Sequence, residues 1–347
     1  MTKSEQLLSA FSEDYFFKEL VFDDLCFTPV GGTKIELADL IINLGDIIIA
    51  IQLKERNAED QSFEESIENK WLQKKCKVAK GQVKETIHLI SSGELPTFQN
   101  KRGQNISFST NAEVIPLVVF ENEYIDKYPH ILRKHSESGM NINCMSFDDY
   151  VEMCKILVSP IEIVSYLEYR KNLYEHEGDV DVMIFDGVGD ELIITKPTQR
   201  ESLVMQFLAE TYGFAEAEKH LSTLQLFRSF LHQLPEHTVN NSEENSSYGI
   251  LLFLAHMNRR EISSFWELLN LTKEENEKGK TGLLHSLRSG ENFAVLFISG
   301  TIKPVEMFLP MIRRKADINR ILEVAIYEIS SDQFAIDFLY WESKENQ

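Results

Sequence analysis

Asp39, Gln52 and Lys54 are the residues of this sequence whose types and spacing could do chemistry together. They flank an apolar stretch, "IELADLIINLGDIIIAIQLK", running from Ile35 to Lys54. A turn at Gly45-Asp46 would fold it into an antiparallel hairpin of two strands, 34–43 and 47–54, in which facing residues sum to about 91. Asp39 then lies opposite position 52. Side chains alternate along a strand, so Gln52 and Lys54 share a face. A carboxylate, an amide oxygen and a lysine at one hairpin end suit metal-assisted phosphodiester hydrolysis. Asp39, the Gln52 amide oxygen and the Leu53 backbone carbonyl would supply oxygen ligands to Mg2+, with Mn2+ as a substitute. The cation would polarise the phosphoryl group and lower the pKa of a bound water. Lys54 would orient that water or stabilise developing charge. The plain alternative is a structural ion pair between Asp39 and Lys54. Glu36 is an odd number of residues from Asp39 and faces away on a regular strand; a bulge would bring it in. Asp46 serves the turn.

The elements that must position these groups read as helix (4–20), loop (28–33), hairpin, helix (70–92), strand (113–120), a short strand near "MNINCMSF", and helix (146–157). A further helix carries Pro160 in its first turn. This order predicts an α/β fold with a mixed sheet flanked by helices. The texture changes at "EHEGDVDVMIFDGVGDELI", which places a boundary between residues 1–175 and 176–347. The second part reads as another α/β domain. It has a helical region at 199–234, a strand at "YGILLFLAHM", a helix with Trp266, and strands at "NFAVLFIS", "RILEVAIYEIS" and "QFAIDFLYW".

The hairpin resembles the PD-(D/E)XK nuclease superfamily, with its restriction-endonuclease-like fold. Asp39 stands for the first acid, and Gln52-Leu53-Lys54 for the acid-X-Lys trio. Glu19 in "FFKEL" occupies the place of a first-helix acid, and Gln82 in "KGQVKETIHLI" that of a helix glutamine. The resemblance covers the first half only. It implies a metal-dependent nuclease acting on DNA in prokaryotic restriction or anti-phage defence, with a regulatory, sensing or oligomerising second domain and a partner protein or homo-oligomer. Gln52 departs from the usual acid and binds a hard cation more weakly. A catalytically inactive nuclease-fold module serving protein assembly is therefore the rival reading.

Charge and composition narrow the classes further. The 347 residues are 43% hydrophobic and carry a net charge of -20, so nucleic acid is repelled in bulk. Against that background Lys70, Lys74, Lys75, Lys77, Lys80 and Lys84 form a local basic run, followed by Lys101 and Arg102. Lys70, Lys74, Lys77 and Lys84 fall near one helix face. They are either a solvated surface or, with Gln82, a contact for nucleic-acid phosphates. The four cysteines form no CxxC pair, which predicts reduced thiols, a cytoplasmic setting and no zinc site. No apolar run is long enough for a membrane span. "DGVGDE" lacks the residues of a phosphate loop, and no nucleophile elbow is present. His256 reads as the end of a strand, and Trp71 and Trp266 as packing residues.

Overall fold

The computed structural model describes residues 2–29, 32–62, 64–122, 131–134, 141–177, 183–184, 193–194, 201–213, 220–237, 247–289, 293–301, 320–330 and 333–342. The chain divides into two compact units, 1–218 and 219–347.

The first unit opens with α1 (Lys3–Phe16), started by a reciprocal cap in which the Glu5 amide donates to Thr2 Oγ1 and the Thr2 amide to Glu5. The helix stops short of the expected residue 20 because Phe17 takes a φ of 64°. The buried run around it then turns into β1 (Val21–Asp23), which lies against β4. Next come β2 (Cys26–Phe27), β3 (Ile35–Glu36), β4 (Leu40–Asn43) and β5 (Ile47–Glu55). The expected strand 34–43 is therefore broken in two. β3 pairs with β2, and the Leu37 amide leaves to donate to the Leu25 carbonyl. The hairpin β4–β5 has the expected register. Leu40 faces Ile51, and Asn43 faces Ile48, so each pair sums to 91. Gly45, at a φ of 87°, makes the turn, with its amide held by Asn43 Oδ1.

From β5 the chain crosses over through α2 (Glu65–Ser92), which ends at Gly93 in the left-handed conformation. It passes β6 (Phe98–Gln99) and β7 (Asn105–Ile106) and returns as β8 (Glu113–Glu121), parallel to β5 along nine residues. Then follow β9 (Ile131–Lys134), β10 (Asn141–Ser146), α3 (Phe147–Leu157) and α4 (Pro160–Glu177). The sheet order is β1-β4-β5-β8-β10-β9, with β5, β8 and β10 parallel. Leu72, Cys76, Ala79 and Val83 of α2 pack on Val118, Phe120, Ile142 and Cys144. Each fully buried aliphatic side chain there contributes about 1.5–3 kcal/mol. The alternate residues Leu117 and Val119 are equally buried, so the middle strands are covered on both faces and read as continuous apolar runs. After the short pair β11 (Met183–Ile184) and β12 (Ile193–Ile194) comes α5 (Glu201–Tyr212). Phe207 of α5 meets the rings of Tyr166 and Tyr169 on α4. That packing places α5 with the first unit, 1–218.

The second unit is also α/β. Helices Leu221–His237, Ser247–Ala255 and Arg259–Glu277 accompany a four-stranded sheet of β13 (Gly282–Ser289), β14 (Phe293–Ser299), β15 (Arg320–Ser330) and β16 (Gln333–Glu342). β14, β15 and β16 match their expected spans. The segment "YGILLFLAHM" corrects its expectation, because it is helical up to Ala255. Ile250, Leu251, Phe253 and Leu254 are all buried, and a run apolar all round carries no period to separate helix from strand. His256 therefore follows a helix. Trp266 packs its ring on Phe230, 5.7 Å between centroids, as a packing residue does. β13 was not foreseen, since its sequence "GLLHSLRS" is too polar to read as a core strand. "DGVGDE" lies outside the described residues. Among the described residues no helix is long and apolar enough to cross a membrane.

One buried charge network ties the end of β5 to α2 and β8. Glu68, buried on α2, receives Arg56 Nη2 and Nε at 3.1 and 3.2 Å, the Ser62 amide at 2.9 Å, and Asn122 Nδ2. Burial works to raise this carboxyl, but the hydrogen bonds from Arg56, Asn122 and Ser62 outweigh it and hold it below its ordinary value of 4.5. A depressed folded-state value means stability that is present above the unfolded value and lost as pH falls through the folded one. Glu68→Ala should cost about 3 kcal/mol in urea unfolding at pH 7, the low end for a broken buried pair because Arg56 stays partly solvated. The gap between wild type and Glu68→Gln should shrink as pH drops below about 4.5.

Candidate metal and phosphate site

The hairpin ladder stops at Leu40↔Ile51, and a side chain supplies the next rung. Asp39 Oδ2 accepts the Leu53 amide at 2.6 Å. This is possible because the strand breaks between β3 and β4, which frees Asp39 to turn its carboxylate toward β5 instead of continuing the backbone pairing. Lys54 Nζ lies 3.4 Å from the same oxygen, and it donates to Gln52 Oε1 at 3.1 Å and to the Leu53 carbonyl at 2.9 Å. Lys54 and Asp39 expose only 13% and 12% of their side chains, and Gln52 is buried. The structure thus brings Asp39, Gln52, Leu53 and Lys54 together at the carboxyl end of a parallel strand. That is where open α/β sheets place ligand sites.

A cavity of about 90 Å³ opens on this cluster. Asp39 and Gln52 form its floor, Ile35, Glu36 and Leu37 one wall, and Gln82, Glu85, Thr86 and Leu89 of α2 the other. Thr86, buried, fixes the two walls to each other: its hydroxyl donates to the Leu37 carbonyl. Glu36 reaches the cavity because the break after β3 cancels strict strand alternation. Gln82 is exposed and lines the cavity beside Glu85. Glu85, Thr86 and Leu89 were not singled out in the sequence. Their spacing from Gln82, at i+3, i+4 and i+7, is the signal that one helix face opposes the hairpin.

The corner is acidic. Burial raises the Asp39 carboxyl above its ordinary value, and Glu5 adds to this, against the pull of Lys54 and the Leu53 amide. Burial likewise raises Glu36, helped by Asp39, Glu5 and Asp24 and opposed by Lys54. Among the described residues no three His, Cys, Asp or Glu side chains gather as a ligand set. The oxygen donors that do converge are one carboxylate, one amide and one backbone carbonyl, all hard ligands that fit Mg2+ or Mn2+. They already surround a cation, the Lys54 ammonium.

Other expected residues lie elsewhere. Glu19 is buried and bonds Arg102, and its carbonyl accepts Asn100 Nδ2 at 3.3 Å, so it anchors the β6–β7 loop and does not line the cavity. Lys101 is held by Glu13 and by Asp23, the latter at 2.7 Å, which takes Lys101 and Arg102 out of the basic face. Lys70, Lys74, Lys77 and Lys84 are exposed on α2 and fall within an arc of about 80° at 100° per residue. That arc points away from the buried stripe of Leu72, Cys76, Ala79 and Val83 and adjoins the arc that carries Gln82 and Glu85. Trp71 is half-buried and packs under Arg56, whose guanidinium sits 5.7 Å from the ring centroid.

A folded-state value raised above the unfolded one means that ionised Asp39 works against the fold. Its protonated form is favoured, and that advantage is lost as pH rises through the folded value. Asp39→Asn, which keeps an acceptor for the Leu53 amide, should therefore stabilise the protein at pH 7 by about 0.5–2 kcal/mol. The gain should vanish below about pH 3.8, where the unfolded-state acid also protonates. Urea unfolding across pH 3–7 checks the sign.

No protein-family model, curated protein or solved structure matches this chain.

Proposed function

We propose that the first unit is a divalent-cation-dependent nuclease of the restriction-endonuclease-like type, acting on DNA in a cytoplasmic restriction or anti-phage setting. The observation that carries the reading is the meeting of Asp39, Gln52 and Lys54 at the hairpin end beside an open polar cavity. The sheet supports the fold assignment, with an antiparallel hairpin feeding a crossover to a parallel strand through one long helix. Asp39, Gln52 and the Leu53 carbonyl would hold the cation, which supplies charge neutralisation and an acidified water to the scissile phosphate. Lys54 stabilises the charge that builds on the phosphoryl oxygens. Gln82, which lines the cavity from α2, would donate to a phosphate oxygen, and the exposed lysines of α2 would hold the nucleic-acid backbone without reading its sequence. The acidic remainder of the chain limits unselective binding.

A second reading is favoured by Glu36 and Glu85, whose carboxylates border the same cavity and repel a phosphate until cations are present. With Gln52 in place of a second acid on the hairpin, the unit would then be an inactive nuclease-fold module that docks a protein. Cleavage separates the two readings. With Mg2+ or Mn2+ and plasmid or linear DNA, wild type should cut, chelator should stop it, and Asp39→Ala should lose at least about 10²-fold in turnover. Equal turnover in wild type and Asp39→Ala would sink the site assignment.

The lysine stripe is tested by binding. Lys70→Gln with Lys77→Gln should weaken association with all DNA sequences alike and lower the slope of log K against log salt by about 0.9 per lost phosphate contact. Turnover at saturating substrate should be preserved. Unchanged affinity across salt concentrations would leave the stripe as solvated surface.

A further inference from the structure

The Lys54 side chain does not line the cavity. It folds back over its own strand, with its ammonium 2.9 Å from the Leu53 carbonyl, 3.1 Å from Gln52 Oε1 and 3.4 Å from Asp39 Oδ2. Three oxygens from three residues thus converge on one nitrogen, two at hydrogen-bond distance and the Asp39 carboxylate at a longer ion-pair distance. A Mg2+ ion needs its oxygens about 1 Å closer, at about 2.0–2.1 Å. The oxygens cannot contract that far around the ammonium, and two cations in one such cage repel strongly in partly buried surroundings. The lysine stem is flexible, with four methylene groups, so the head can leave without moving β5.

We propose that Lys54 is the resting occupant of the cation cage formed by Asp39, Gln52 and the Leu53 carbonyl, and that a divalent cation is admitted only as the Lys54 ammonium withdraws. This rests on the metal-dependent reading above and adds its regulation. One movement then has two consequences. The oxygens close on the incoming ion, and the freed ammonium turns to the cleft, where a phosphate would lie. Lys54 sets the cation concentration at which the site fills, and it partly offsets the Asp39 charge until then. Gln52 suits the exchange, since a neutral amide holds the ammonium less tightly than a second carboxylate would.

The test uses the full chain and Mn2+ alone, with free Mn2+ measured by electron paramagnetic resonance. Lys54→Met should bind Mn2+ at least about tenfold more tightly than wild type, because the competing charge is gone. Asp39→Asn should lose the binding in both backgrounds, which identifies the site. Wild type supplies a second readout that needs no substitution. Acylation of lysines followed by mass spectrometry should show Lys54 labelling rise several-fold when Mn2+ is added, while the exposed Lys70, Lys74 and Lys77 stay constant. Flat Lys54 labelling overturns the proposal even if Lys54→Met binds more tightly, since a field effect alone would tighten binding without moving the side chain. Equal Mn2+ affinity in wild type and Lys54→Met overturns the exchange and leaves the metal site standing. Failure of both to bind Mn2+ overturns the exchange together with the metal-dependent reading.

Discussion

The hydrogen bond from the Leu53 amide to the Asp39 carboxylate is the constraint on which the candidate site depends. Backbone pairing between β4 and β5 ends one residue earlier, at Leu40 and Ile51, and an unpaired amide at that depth would be costly. Filling it with a side chain has two effects. It closes the ladder of a buried strand, and it pins a carboxylate at the sheet's carboxyl edge with one oxygen aimed at Lys54. The neighbouring groups follow from that placement. Gln52 and Lys54 share a face by strand alternation, and the Leu53 carbonyl points back into the same space.

Holding the strand break open requires support from outside the hairpin. Leu37 is tied on both sides, by its amide to Leu25 and by its carbonyl to Thr86 of α2. Just beyond Lys54, at the same carboxyl end of β5, the Glu68 network clamps Arg56, the β8 terminus and the start of α2. The crossover helix is thereby fixed at two points along its 28 residues. Around the second of them, at Thr86, its Gln82–Leu89 face lines the cavity. The candidate site is a gap left between these tied elements, and the oxygens that converge beside it are of the kind a hard cation takes.

The electrostatics run against stability at this corner. Burial and neighbouring acids disfavour the charged forms of Asp39 and Glu36, and Lys54 only partly offsets them. Two other buried acids of the unit are paired: Glu68 by Arg56 and Asn122, Glu19 by Arg102. Carboxyl groups raised by burial beside an open cavity are what motivates reading this corner as a candidate site. The same pocket sits in a chain of net charge -20, so the exposed lysines on α2 oppose the field of the whole molecule at one place.

Much of this was legible in the residues. The turn at Gly45-Asp46 sets the hairpin register, because a short turn leaves no freedom in which residues pair, and that register alone puts Asp39 opposite position 52. The end of α2 at its glycine stop and the β8 strand were legible, whereas α2 begins at Glu65, five residues before the expected start, where no side chain caps it. Tertiary structure decided the rest. The break at 37–39 that admits Glu36 has no local signal, since it depends on Leu25 and Thr86, which are distant in sequence. Glu19 was drawn to Arg102 by a loop whose course no periodicity records. The helix at Ser247–Ala255 was hidden because a segment buried on every side loses the polar face that would mark its period. The sequence by itself determined which residues could meet across the hairpin. Packing determined which of them face the cavity, because side-chain direction at a strand end is set by what the next element leaves open.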